Sequence, residues 1–131
     1  MPFHVTVLYA GLNGLLLLVL VVGVMRQRLR TGVQFGAGGS EELERAQRCL
    51  GNWAEYVPLA LILMGLLEAQ RTSAYLLHAL GIAITVGRVL HAWGLSRNSG
   101  RSFGRSAGMV LTWAVLLVAS VVAVVVGLGL G

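Results

Sequence analysis

Long apolar runs separated by short polar connections dominate the chain, and each run is long enough to cross a bilayer as a helix. The first, Val5 to Met25, is almost uninterrupted, and about 20 apolar residues at 1.5 Å each match a hydrocarbon core of roughly 30 Å. No basic segment precedes it and no small-x-small cleavage site falls before Arg26, so it reads as a membrane span over about 5–27, not as a signal peptide. After Arg26-Gln27-Arg28-Leu29-Arg30 the stretch from Thr31 to Gly39 is glycine-rich and too polar to cross, and is expected to be a loop. Ser40 followed by Glu41, Glu42 and Leu43 has the form of a helix start, with a serine cap and carboxylates favoured by the helix dipole. The second span is then expected over about 41–68, with Pro58 predicting a kink one turn earlier, near Ala54 and Glu55. A third span is expected over about 73–95 and a fourth over about 105–128. Glu68 to Thr72 is a short connection, which makes the second and third helices antiparallel neighbours. The expected fold is a single all-α integral membrane domain over 1–131, a four-transmembrane-helix bundle.

Polar residues interrupt this pattern most sharply at the head of the second span. At about 100° per residue, Arg48, Asn52 and Glu55 fall within roughly 60° of one another and form one face. Ionisable groups in a membrane helix are expensive and usually face a bundle interior or an aqueous cavity, so this face is the first candidate site. On the third span Arg88 and His91 are three residues apart and share a face in the same way.

Composition agrees with the membrane reading: 56% of residues are hydrophobic, 11% are charged, and mean hydropathy is +0.80. All ten basic residues are arginine, set against five glutamates, with no lysine or aspartate. These arginines lie beside apolar spans, where orientation and anionic headgroups account for them, and no soluble module exists to carry a nucleic-acid surface. Arg26, Arg28, Arg30, Arg45 and Arg48 flank the first connection, and Arg88, Arg97, Arg101 and Arg105 the third, whereas the second has only Arg71. By the positive-inside tendency the arginine-rich connections face the cytoplasm and both termini the opposite side. The single cysteine, Cys49, forms no internal disulfide. No histidine pair has metal-ligand spacing, and Gly36-Ala37-Gly38-Gly39 lacks both the strand and the lysine of a phosphate loop.

Arg48, Asn52, Glu55, Tyr56 and Pro58 on a second membrane helix, with Arg88 and His91 on a third, resemble the membrane-associated proteins in eicosanoid and glutathione metabolism, the MAPEG family. That family includes microsomal glutathione S-transferases, leukotriene C4 synthase and prostaglandin E synthase. The pattern Arg88-x-x-His91-x-x-Gly94-Leu95-Ser96-Arg97, followed by Gly108-Met109-Val110-Leu111-Thr112, is most similar to bacterial members. The resemblance implies a homotrimer in a bacterial inner membrane, with glutathione held at each subunit boundary near the cytoplasmic surface and lipophilic electrophiles arriving from the lipid. It implies glutathione contacts for Arg48, Asn52, Glu55, Tyr56 and Arg88. His91 falls where the eicosanoid enzymes carry a tyrosine that contacts glutathione. An arginine at the start of the fourth helix is implied to stabilise the thiolate, and Arg101 and Arg105 both lie near that place.

The residue types suit that ligand on chemical grounds. Glutathione has two carboxylates for guanidinium forks, an ammonium for a carboxylate, and a thiol whose ionisation a nearby cation promotes. Plainer roles stand beside this one: Arg48 and Arg88 as interfacial anchors or partners of Glu55 and Glu44, Asn52 as interhelical glue, and the tryptophans as packing or interface residues. Two functions follow, a glutathione-dependent transferase or peroxidase, and a non-catalytic membrane protein that binds lipid or serves as an accessory subunit.

Overall fold

A computed structural model describes residues 3–97, 100 and 102–131 of the chain. It consists of α1 (His4–Thr31), α2 (Glu41–Ala69), α3 (Ala74–Arg97) and α4 (Phe103–Gly127), each long and apolar enough to cross a membrane. A helix is present at each of the four expected places, with shifted limits. The largest shift is in α1, which carries Arg28 and Arg30 inside its last turn and ends at Thr31, not near residue 27. Arginine is a good helix former and the helix C-terminus favours cations, so the basic run extends the helix. Gly32 then stops it in a left-handed conformation, φ 72°, donating its N–H to the Arg28 carbonyl.

Ser40 caps α2 as its sequence suggests, its Oγ accepting from the Leu43 N–H at 3.2 Å. Ser102 does the same for α4, accepting from the Arg105 N–H at 3.2 Å. Pro58 lies inside α2, and the helix runs unbroken through it. Between α2 and α3 the chain turns through Arg71 at φ 59°, while the Thr72 N–H reaches back to the Leu67 carbonyl at 3.1 Å.

The four helices do not form a square ring. α2 and α3 touch each other and both remaining helices, whereas α1 and α4 do not approach one another among the described residues. The core follows from this: Val57, Ala60, Met64 and Leu67 of α2 meet Leu77, Leu80 and Ile84 of α3, with Tyr9 of α1 on one side and Val115 and Ala119 of α4 on the other. In lipid, association of this kind rests on close packing and interhelical hydrogen bonds, since lipid tails are as apolar as the side chains. α3 and α4 make the most extensive contact. A Cβ on Gly108 of α4 would lie 2.4 Å from the Gly87 carbonyl oxygen and 2.6 Å from the His91 nitrogen of α3, so only glycine permits this approach.

At the end holding the helix 2–3 turn, Glu68 of α2 is buried and receives α1. Its Oε1 accepts from the Val5 N–H at 2.9 Å, and its Oε2 accepts from the Thr6 N–H at 2.7 Å and the Thr6 hydroxyl at 2.6 Å. The carboxylate therefore satisfies free N–H groups at a helix N-terminus, where the dipole also favours a negative charge. Further in, the Tyr9 hydroxyl and His78 Nδ1 are 2.9 Å apart, and Asn13 Nδ2 donates to the Tyr9 carbonyl and to Thr85 Oγ1.

Candidate functional site

At the opposite end, the close approach of α3 and α4 brings Thr112 of α4 beside Arg88 of α3. Arg88 Nη1 donates to Thr112 Oγ1 at 3.3 Å, and Thr112 donates in turn to the Gly108 carbonyl at 2.7 Å. The second arm of the guanidinium, Nη2, donates to Asn52 Oδ1 of α2. One arginine thus ties three helices together. It is 2% exposed, and among the described residues no carboxylate pairs with it and nothing accepts from its Nε. A buried cation whose contacts are neutral dipoles lacks the counter-charge that ordinarily offsets desolvation, and is suited to an anion.

His91, one turn further along α3, is also 2% exposed, and its Nδ1 has no hydrogen-bond partner among the described residues. The cations within electrostatic reach of its ring are Arg88, Arg105 and Arg48. Above it, at the same end of the bundle, a cavity of about 330 Å³ is lined by Glu41, Glu44, Arg45, Arg48, Leu95 and Arg105. That volume is at the lower end of small-molecule sites. Three guanidiniums and two carboxylates around one space form a zwitterion's complement, able to take carboxylates and an ammonium together. Glu41 and Arg45 form an ion pair across one turn at 3.2 Å.

Arg48 also pairs with Glu55, Nη2 to Oε1 at 3.0 Å, across two turns of α2. Their side chains are 56% and 54% exposed, so this part of the helix-two face points outward from the single protomer. Asn52, on the same face, is half-buried and turned to Arg88. Tyr56, one turn beyond Asn52, is half-buried, and with Glu55 and Cys49 it lies within electrostatic reach of Arg88.

The residues singled out in the sequence therefore fall into two layers. Arg48 and Arg105 line the cavity, with Glu55 paired to Arg48; Asn52 and Arg88 meet deeper in the bundle, and His91 stands between the layers. Arg88 does not line the cavity: it precedes Leu95 by two helical turns, about 10 Å along α3. Arg101 lies outside the described residues. Thr112 was missed as a site residue. Its signal was its place four residues after Gly108, where a hydroxyl bonds back to the helix and also faces the helix that the glycine lets in.

These features define a class: an integral membrane protein of four long helices that gathers buried and cavity-lining arginines at one end. The chain belongs to the MAPEG family, whose model matches residues 6–125. Two similar relatives carry the name Inner membrane protein YecN, one from Escherichia coli strain K12 and one from Escherichia coli O6:H1. Each is 38% identical over 113 residues, covering 86% of this chain and 85% of the relative.

Proposed function

We propose that the protein is a glutathione-dependent membrane transferase or peroxidase acting on lipophilic electrophiles. The observation that carries this reading is the cavity rimmed by Arg45, Arg48 and Arg105 with Glu41 and Glu44, beneath which the buried Arg88 guanidinium is held by Asn52 and Thr112 with no carboxylate partner among the described residues. The donor set fits glutathione: Arg45, Arg48 and Arg105 offer forks for its carboxylates, and Glu44 an acceptor for its ammonium. Arg105, at the first turn of α4, is the described candidate for holding a thiolate, and Arg101 shares that assignment by sequence position. His91, buried beneath the cavity, keeps a ring nitrogen without a partner among the described residues. Bound glutathione supplies a sulfur nucleophile: in conjugation the thiol loses its proton and its sulfur forms a C–S bond as the electrophilic carbon either releases a leaving group with its bonding pair or gives up a conjugated C=C π pair that takes up a proton, and in peroxidase chemistry two thiols become a disulfide as a hydroperoxide is reduced to alcohol and water.

The outward-facing Arg48–Glu55 pair supports a homotrimer, since ionised side chains on a membrane helix are better placed against another subunit than against lipid. The name of the relatives supports a bacterial inner membrane. The arginines at one end of the bundle support a cytoplasmic site, with both termini on the other side.

A specific feature favours a second reading. Arg48 already pairs with Glu55, and Arg88 already bonds Asn52 and Thr112, as they would in a non-catalytic scaffold that binds lipid or joins a larger complex. Calorimetry with glutathione on the purified protein separates the two. A transferase binds saturably at up to millimolar glutathione, and Arg48→Ala and Arg105→Ala each weaken binding at least about tenfold, the loss of one charge-assisted contact. Absence of binding at millimolar glutathione overturns the first reading.

A further inference from the structure

The α2 wall of the arginine cavity is a single stripe, Glu41, Glu44, Arg45 and Arg48, with Leu95 of α3 and Arg105 of α4 on the other sides. Its charges are not paired as helix spacing alone would pair them. A glutamate four residues before an arginine is the favoured ion pair on a helix, and both Glu41 with Arg45 and Glu44 with Arg48 have that spacing. The first pair forms, at 3.2 Å. The second does not: Arg48 turns along α2 to Glu55, two turns further on, at 3.0 Å. Among the described residues the Glu44 carboxylate is thus left with no hydrogen bond or ion pair, in a cavity lined by three guanidiniums.

We infer that Glu44 and Arg48 together read a free α-amino acid group, so that the thiols this cavity accepts are those with such an end, as the γ-glutamyl residue of glutathione has. The inference rests on the glutathione reading above and adds to it the residue that selects among thiols. The Arg48–Glu55 pair takes up Nη2 alone, which leaves that guanidinium donors for a carboxylate. Residues four apart on a helix hold their Cβ atoms about 5–6 Å apart. An α-amino acid carries its ammonium and its carboxylate on one carbon, so one such group reaches both side chains, ammonium to Glu44 and carboxylate to Arg48. Glu41 is committed to Arg45, and Glu55 is committed to Arg48 and does not line the cavity, so Glu44 is the carboxylate that determines specificity. A thiol ending in a phosphate meets that carboxylate and is repelled, and one ending in an amide brings it no cation.

The test compares glutathione with glutaryl-cysteinylglycine, which is glutathione lacking only its α-amino group. Calorimetry is run on the full chain in detergent, native and as Glu44→Gln and Glu55→Gln, with thermal unfolding recorded alongside to confirm that both variants fold. Glu44 is exposed and the substitution keeps its shape, and the native protein tests the ammonium contact without any substitution. The native chain is expected to bind glutathione at least about tenfold more tightly than the amine-free tripeptide, the worth of one charge-assisted contact. Glu44→Gln is expected to weaken glutathione by that factor and leave the amine-free tripeptide unchanged, so that the two bind alike, whereas Glu55→Gln keeps the preference. Equal binding of the two ligands by the native chain overturns the ammonium contact and leaves the transferase reading standing. A preference that survives in Glu44→Gln overturns the assignment to Glu44. Failure of both ligands to bind at millimolar concentration overturns the glutathione reading and this inference with it.

Discussion

The two ends of the bundle both bury polar side chains, and they do so differently. At the Glu68 end most of the polar groups close on one another: the carboxylate takes three donors from the start of α1, Tyr9 meets His78, and Asn13 Nδ2 bridges to Thr85, with Asn13 Oδ1 left without a partner among the described residues. At the arginine end they are left partly open, with Arg88 Nε and His91 Nδ1 lacking partners among the described residues, Arg48 and Glu55 turned outward, and a charged cavity above. Polar groups in a low-dielectric setting are stabilising when satisfied and costly when not. One end therefore reads as architecture and the other as a place kept for a ligand or a neighbouring subunit.

The largest expected effect breaks the floor beneath both. Gly108→Ala puts a methyl against the α3 backbone at Gly87 and His91, which cannot swing aside as a side chain would. Thermal unfolding in detergent is expected to show about 3 kcal/mol of lost stability, the upper range for overpacking, with glutathione binding lost as α4 moves off Arg88. Glu68→Ala comes next. It frees donors at the start of α1, and because this end is near the membrane surface, where water can partly replace the carboxylate, a loss of about 2 kcal/mol is expected with glutathione affinity unchanged. Thr112→Val is milder. It keeps the shape but removes the acceptor for Arg88 Nη1, costing about 1 kcal/mol in unfolding measurements and weakening glutathione binding a fewfold.

Much of the fold was legible because hydropathy and caps are local. The spans, the Ser40 cap and the antiparallel α2–α3 pair follow from run lengths and side-chain chemistry at chain positions that do not depend on packing. The end of α1 was not legible in the same way, since a basic run reads as a boundary by hydropathy yet prolongs a helix by propensity and dipole. At the candidate site the helix-two face was visible as a period, but the period does not say which member turns inward. Asn52 goes to Arg88 while Arg48 and Glu55 turn outward, a split set by how α2 crosses α3 and α4. Glu68 was read within a connection, and only the placement of the α1 N-terminus against it reveals its role.

The central claim is that binding and architecture are divided between the two ends, and Arg48→Ala set against Glu68→Ala tests it most directly. Both variants are measured for thermal stability and for glutathione binding by calorimetry. Arg48 is half exposed, so its removal is expected to change stability by less than about 0.5 kcal/mol while weakening binding at least about tenfold, and Glu68→Ala is expected to do the reverse. An Arg48→Ala protein that unfolds early yet binds glutathione as the native chain does would contradict the account.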